Sequence, residues 1–124
     1  MALSKDLMGG GFSAGQARAV GGNYASPAAA GTTQATATTI TASNNVVTGA
    51  SGTNGVVLSG NVGDSVEIFN SSASSLLVYP DSGAAIAVPG TGAGTANAAY
   101  THTTYAVVTY KKVTSTQWLP NKSA

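Results

Sequence analysis

The sequence predicts an all-β protein: a compact antiparallel β-sandwich or barrel-like domain behind an extended N-terminal arm. Three observations predict it. From Thr32 onward β-branched residues dominate and helix signals vanish. Turn chemistry punctuates that stretch about every eight to twelve residues. No segment of helical period is long enough to cross between parallel strands, so antiparallel pairing is expected.

Residues 1–31 read as the arm and 32–124 as the β-domain. The arm is rich in Gly and Ala, with apolar anchors scattered among them at Leu3, Leu7, Met8, Phe12 and Val20. It carries one or two short helical turns. One starts at Ser4 and runs through Lys5-Asp6-Leu7-Met8. The other has a capping box in Ser13-Ala14-Gly15-Gln16, continues through Ala17-Arg18-Ala19-Val20 and stops at Gly21-Gly22. Pieces this short are not stable alone, and Gly9-Gly10-Gly11 between them is a hinge.

The expected strands are Ala35–Ala42, Asn45–Thr48, Gly55–Leu58, Ser65–Asn70, Ser75–Tyr79, Ala84–Val88, Ala96–Thr101, Tyr105–Val113 and Gln117–Leu119. Between them lie turn compositions such as Gly60 to Asp64 and Pro80-Asp81-Ser82-Gly83. Alternation assigns faces. Val66 and Ile68 share one side of their strand, Glu67 and Phe69 the other. Leu76 and Val78 oppose Leu77 and Tyr79, and Val56 and Leu58 oppose Val57. Apolar groups on both faces are more than a sheet with one wet side needs. One face closes the core of the subunit; the other needs a second cover, and a symmetry mate is the simplest one.

Composition narrows the function. Ala, Gly, Ser and Thr supply 68 of 124 residues, and charged residues only 7%, against roughly 25% in an average soluble domain. Five Lys and Arg with net charge +1 do not build a phosphate-tracking patch, so no nucleic-acid partner is expected. The absence of Cys removes thiol chemistry and Cys-ligated metals. The apolar runs are too short for a membrane span, and the N-terminus lacks the apolar core of a signal peptide. Low charge near neutrality leaves a free monomer poorly protected against association.

Chemistry-bearing residues are few. His102 is the single histidine, without a nucleophile motif, and reads as a surface or strand-edge residue. Asp64 and Glu67 are three apart in an extended segment and point to opposite faces, so they do not converge on a bond as paired-carboxylate hydrolysis requires. Asp64 reads as the residue that starts a strand after Gly63, and Asp81 as a turn residue bonding its own backbone. Gly90-Thr91-Gly92-Ala93-Gly94 lacks the spacing and the following helix of a dinucleotide fingerprint. No enzyme activity, cofactor or metal is expected. Tyr79, Tyr100, Tyr105, Tyr110 and Trp118 suit core and subunit packing, or a sugar-binding platform.

One resemblance bears on identity. Gly63-Asp64-Ser65-Val66-Glu67-Ile68-Phe69-Asn70 precedes a Ser-rich turn. Leu76-Leu77-Val78-Tyr79-Pro80-Asp81-Ser82-Gly83-Ala84-Ala85-Ile86, a Gly/Thr/Ala loop, a long β-branched strand and Trp118 follow. This order resembles small β-domains of tailed-bacteriophage virion proteins, especially head decoration (cement) and head-fibre proteins. Leu7-Met8-Gly9-Gly10-Gly11-Phe12-Ser13-Ala14-Gly15-Gln16-Ala17-Arg18-Ala19 is similar to their leading segment. The resemblance implies a homotrimeric knob on the outer surface of the capsid, made in the host cytoplasm without a signal peptide. Its arms would reach over the major capsid protein. Leu3, Leu7, Met8 and Phe12 would anchor the arm, with Arg18 as a carboxylate partner. Phe69, Leu77, Tyr79, Tyr105 and Trp118 would meet neighbouring subunits. In that family a short β-branched or aromatic tail follows the Trp; here Leu119-Pro120 follows, so the last strand is expected to end early. The alternative is a head-fibre or tail-associated adhesin that holds host glycans on exposed Tyr and Trp.

Overall fold

The computed structural model describes residues 23–122. They form ten strands: β1 (Tyr24–Ala25), β2 (Thr38–Thr39), β3 (Asn44–Val47), β4 (Gly55–Val57), β5 (Ser65–Asn70), β6 (Leu76–Tyr79), β7 (Ala85–Ile86), β8 (Tyr100–His102), β9 (Val107–Thr114) and β10 (Gln117–Lys122). There is no helix among the described residues, and the two helical turns expected in the arm lie outside them. The strands make a six-stranded sheet, ordered β1-β3-β5-β9-β10-β7, and a four-stranded sheet, ordered β2-β4-β6-β8.

The sheets are mixed, which corrects the antiparallel expectation. β1, β3 and β5 run parallel, as do β2, β4 and β6. The chain visits the two sheets alternately, so each strand in one sheet is the crossover for the other. Thus Asn44 pairs with Tyr24 and then with Glu67, and Val56 with Thr38 and then with Val78. A parallel connection needs a dozen or so residues of return path. A strand in the opposite sheet serves that purpose without a helix. Antiparallel pairing appears where the coil ends, with β8 on β6 and the β9–β10 hairpin on β5.

The two sheets share one core. Val47, Ile68, Val108, Tyr110 and Trp118 from the larger sheet meet Val56, Leu76 and Val78 from the smaller, with Ile40 and Leu58 beside them. Burying a side chain of this kind is worth about 1.5–3 kcal/mol. The alternation expected for β4, β5 and β6 holds: Val56, Val66, Ile68, Leu76 and Val78 face inward, whereas Val57 and Leu77 are half-buried on the outside.

Several boundaries move. Residues 23–31, placed in the arm by sequence, take part in the fold. β1 pairs with β3, Ala28 bridges Thr48, and Ala30 bridges Gly55. Ala29 N–H donates to Thr48 O at 2.8 Å and Ala30 N–H to Gly55 O at 3.0 Å. The strand expected over Ala35–Ala42 shrinks to Thr38–Thr39, because Ala37 N–H closes a turn onto Thr33 O at 3.0 Å. The expected Ala84–Val88 keeps two residues as β7, and the expected Ala96–Thr101 becomes Tyr100–His102.

The last strand does not end at Leu119 but runs through Pro120 to Lys122. Proline lacks an N–H, so it survives in a strand only where that donor would face no neighbour. Trp118 O accepts from Ala87 N–H on the β7 side. Two residues on, Pro120 turns the same edge outward, beyond the end of β7, while its own strand stays paired to β9 opposite Tyr110.

Candidate interaction face and its supporting networks

The residues expected at a subunit interface do not form one patch. Phe69 lies on the outward face of the six-stranded sheet, half-buried. Leu77 and Tyr79 lie on the outward side of the four-stranded sheet, with the sheets' common core between. There the chain's own segment covers Tyr79, leaving it 8% exposed. Its hydroxyl donates to Thr32 O at 3.1 Å, and Gln34 Nε2 donates to the neighbouring Pro80 O at 2.7 Å. Trp118 is completely enclosed in the core and has no surface to offer a partner. Tyr105 stands at the turn between β8 and β9, 59% exposed. The arm residues Leu3, Leu7, Met8, Phe12 and Arg18 lie outside the described residues.

Around Phe69, register builds an apolar row. Val46 of β3 pairs with Phe69, and Phe69 pairs with Val107 of β9. All three are half-buried and share the outward face. The next row on that face is polar: Asn44, Glu67, Thr109 and Asn121 in register, with Thr109 Oγ1 donating to Glu67 Oε2 at 3.5 Å. Beyond it Ser65, Lys111 and Leu119 align, and Leu119 is an exposed large apolar side chain. Val46 and Val107 were not singled out in the sequence, because a cross-strand row exists only once register is known.

A partly buried ion pair borders the core beside Trp118. Lys112 Nζ meets Asp81 Oδ2 at 2.7 Å, with side chains 8% and 31% exposed. Lys112 also donates to Gly60 O at 3.1 Å and lies 5.6 Å from the Trp118 ring centroid. Trp118 Nε1 donates to Asp81 Oδ1 at 2.7 Å. Asp81 therefore does more than turn the chain and bond its own backbone: it also holds Lys112 and Trp118. Burial pushes the Asp81 carboxyl up, but hydrogen bonds from Lys112 and Trp118 and the Lys112 charge outweigh it. The net pKa falls below the ordinary 3.8. A signal for this pair was present: Lys112 occupies an inward slot of β9, in phase with Val108 and Tyr110.

His102 lies in the edge strand β8, as one of its two readings had it, but the surface reading is corrected. It is completely buried, not a surface residue. Its Nδ1 lies 2.9 Å from the Tyr110 hydroxyl and its Nε2 2.7 Å from Ala106 O. A carbonyl only accepts, so the proton sits on Nε2 and Nδ1 accepts from Tyr110. Burial pushes the His102 pKa below 6.5; the bond to Ala106 opposes this and the Lys122 charge adds to it. Burial, with Tyr100 nearby, drives Tyr110 well above 10, so its hydroxyl keeps its proton. Asn70, fully buried, donates to Ser74 O at 2.8 Å and Thr103 O at 3.3 Å, while its Oδ1 accepts from Ser72 N–H.

The other carboxylates stay apart as expected. Asp64 Oδ2 accepts from Asn61 N–H at 2.8 Å in the turn before β5, and Glu67 is exposed on the outward face. Compared with known proteins, the chain matches no family model, no curated protein and no solved structure.

Proposed function

We propose that this protein is a bacteriophage virion structural protein, a trimeric decoration or cement protein on the outer capsid surface. The observation that carries the reading is the apolar row Val46–Phe69–Val107 on the outward face of the six-stranded sheet. Three adjacent apolar side chains left half-buried by their own subunit are what an interface between copies would cover. In this reading the β-domain trimerises through that row, and the leading segment reaches over the major capsid protein. β1, the first described strand, lies at the edge of the same sheet, which supports an arm that leads off beside the interface. Many weak contacts over several capsid subunits would then add up through multivalency.

The test is capsid decoration by protein lacking residues 1–22. The expected result is a folded, self-associating β-domain that no longer sediments with capsids. Undiminished decoration would remove the assigned role of the arm. The adhesin reading has a specific support in the exposed Tyr24 and Tyr105, 64% and 59% accessible. Saturable binding of the isolated protein to host glycans, lost on Tyr105→Ala, would favour it instead.

A further inference from the structure

Edge strand β8 and the turn that follows it are held by a buried imidazole. β8 has one neighbour, β6, with His102 opposite Leu76. The turn after it closes through Ala106 N–H to Thr103 O at 3.2 Å. Ala106 O in turn accepts both Asn70 N–H at 3.1 Å and the imidazole Nε2–H at 2.7 Å. Inside this turn Tyr105 adopts φ 55°, a left-handed conformation that a bulky side chain rarely takes without being held. We propose that His102 is an acid-operated latch on the β8–β9 turn, closed when the imidazole is neutral and opened when it takes a proton from water.

The surroundings favour the neutral ring. From β9, the Tyr110 hydroxyl donates to Nδ1; a protonated Nδ1 would make that hydroxyl turn and accept instead, leaving its own proton without a partner among the described residues. From β8 itself, Tyr100 packs edge-on against Tyr110, ring centroids 5.9 Å apart. From β10, Lys122 adds a like charge. From β5, Asn70 presents an amide already committed to carbonyls. No described carboxylate bonds to the ring: Glu67 faces outward, Asp81 is paired with Lys112, and Asp64 sits in the turn before β5. An imidazolium here is therefore an unpaired buried charge, which is strongly disfavoured. Hydrating it requires something to move. β9 is held by β5 and β10 on its two sides, so the strained turn and the singly paired β8 yield first, and with them the presentation of Tyr105.

Backbone amide exchange on the full-length protein tests this, with rates corrected for intrinsic pH dependence. Between about pH 7.5 and about pH 5, protection at Ala106 is expected to fall at least about tenfold. Leu58, whose N–H donates to Tyr79 O within the coil, should keep its protection. Ring nitrogen shifts of His102 should leave the neutral Nε2–H form over the same range. His102→Gln, which retains a donor for Ala106 O and an acceptor for Tyr110 but cannot titrate, should hold Ala106 protected at both values. Unchanged protection at Ala106, an equal fall at Leu58, or the same response in the Gln variant would each overturn the latch. If that variant does not fold, the ring shifts of the unmodified protein decide: an imidazole that stays neutral while Ala106 opens also overturns it.

Discussion

At the scale of single residues, the Asp81–Lys112–Trp118 cluster is the most consequential polar feature of the core. Two charges taken from water repay their desolvation only when geometry and extra hydrogen bonds are good. Here one carboxylate accepts from both an ammonium and an indole at 2.7 Å. Asp81→Asn leaves the Lys112 charge without its counter-ion in a site where the Lys side chain is 8% exposed. Allowing for partial screening on the Asp81 side, the expected loss is about 2–3 kcal/mol in urea-induced unfolding. Asp81→Leu combined with Lys112→Met should cost less than either single change, because neither charge is then stranded. The pH dependence has a defined sign. The folded pKa of Asp81 lies below 3.8, so its contribution is complete above that value and lost as pH falls through the folded pKa. Unfolding midpoints measured downward from about pH 5 should therefore drop in the unmodified protein, and drop less in Asp81→Asn.

At the scale of elements, close packing between strands of one sheet makes sharper predictions than side-chain chemistry does. A Cβ on Gly55 would run into the Leu77 carbonyl of the paired strand β6 and the Tyr79 ring. The carbonyl belongs to a hydrogen-bonded ladder and cannot swing away. Gly55→Ala should destabilise by about 1–3 kcal/mol in thermal or denaturant unfolding, as overpacking does. Proline offers a complementary test in β10. Pro120 turns its missing donor to the open edge, whereas the N–H of Asn121, one residue on, faces β9. Pro120→Ala should leave stability within about 0.5 kcal/mol, while Asn121→Pro removes a ladder bond and should unzip the end of the hairpin, seen as lost amide protection at Thr109 and beyond. The true start of the folded unit can be located in the same way. Removing residues 1–22 should leave the unfolding midpoint in place. Removing 1–31 also deletes β1 and the bridges at Ala28 and Ala30, and should lower it markedly.

At the scale of the whole molecule, the proposed meeting of copies on the outward face of the six-stranded sheet has a direct test. Phe69→Asp changes a half-buried outward residue, so the monomer should still fold with the same circular-dichroism spectrum. Sedimentation velocity should shift from the assembled species to the monomer. An unchanged sedimentation coefficient would show that the apolar row is not where copies meet. Much of this architecture was legible in the residues. Ser65–Asn70 came out as a strand with the right bounds and the right inward pair, because period-two alternation of Val66 and Ile68 with Glu67 and Phe69 needs no partner to be read. The all-β class followed from the same local signals of branching and turn chemistry. Strand direction did not, because whether a strand returns parallel depends on where the intervening chain packs, and here it packs in the other sheet. The placement of His102 and Trp118 did not either. Local sequence marks a residue as suited to a strand, but burial is a property of both sheets closing over one core. Local chemistry thus settles which segments extend and which side of each is apolar. The non-local contacts settle which strands become neighbours, and so which apolar sides remain uncovered for another molecule.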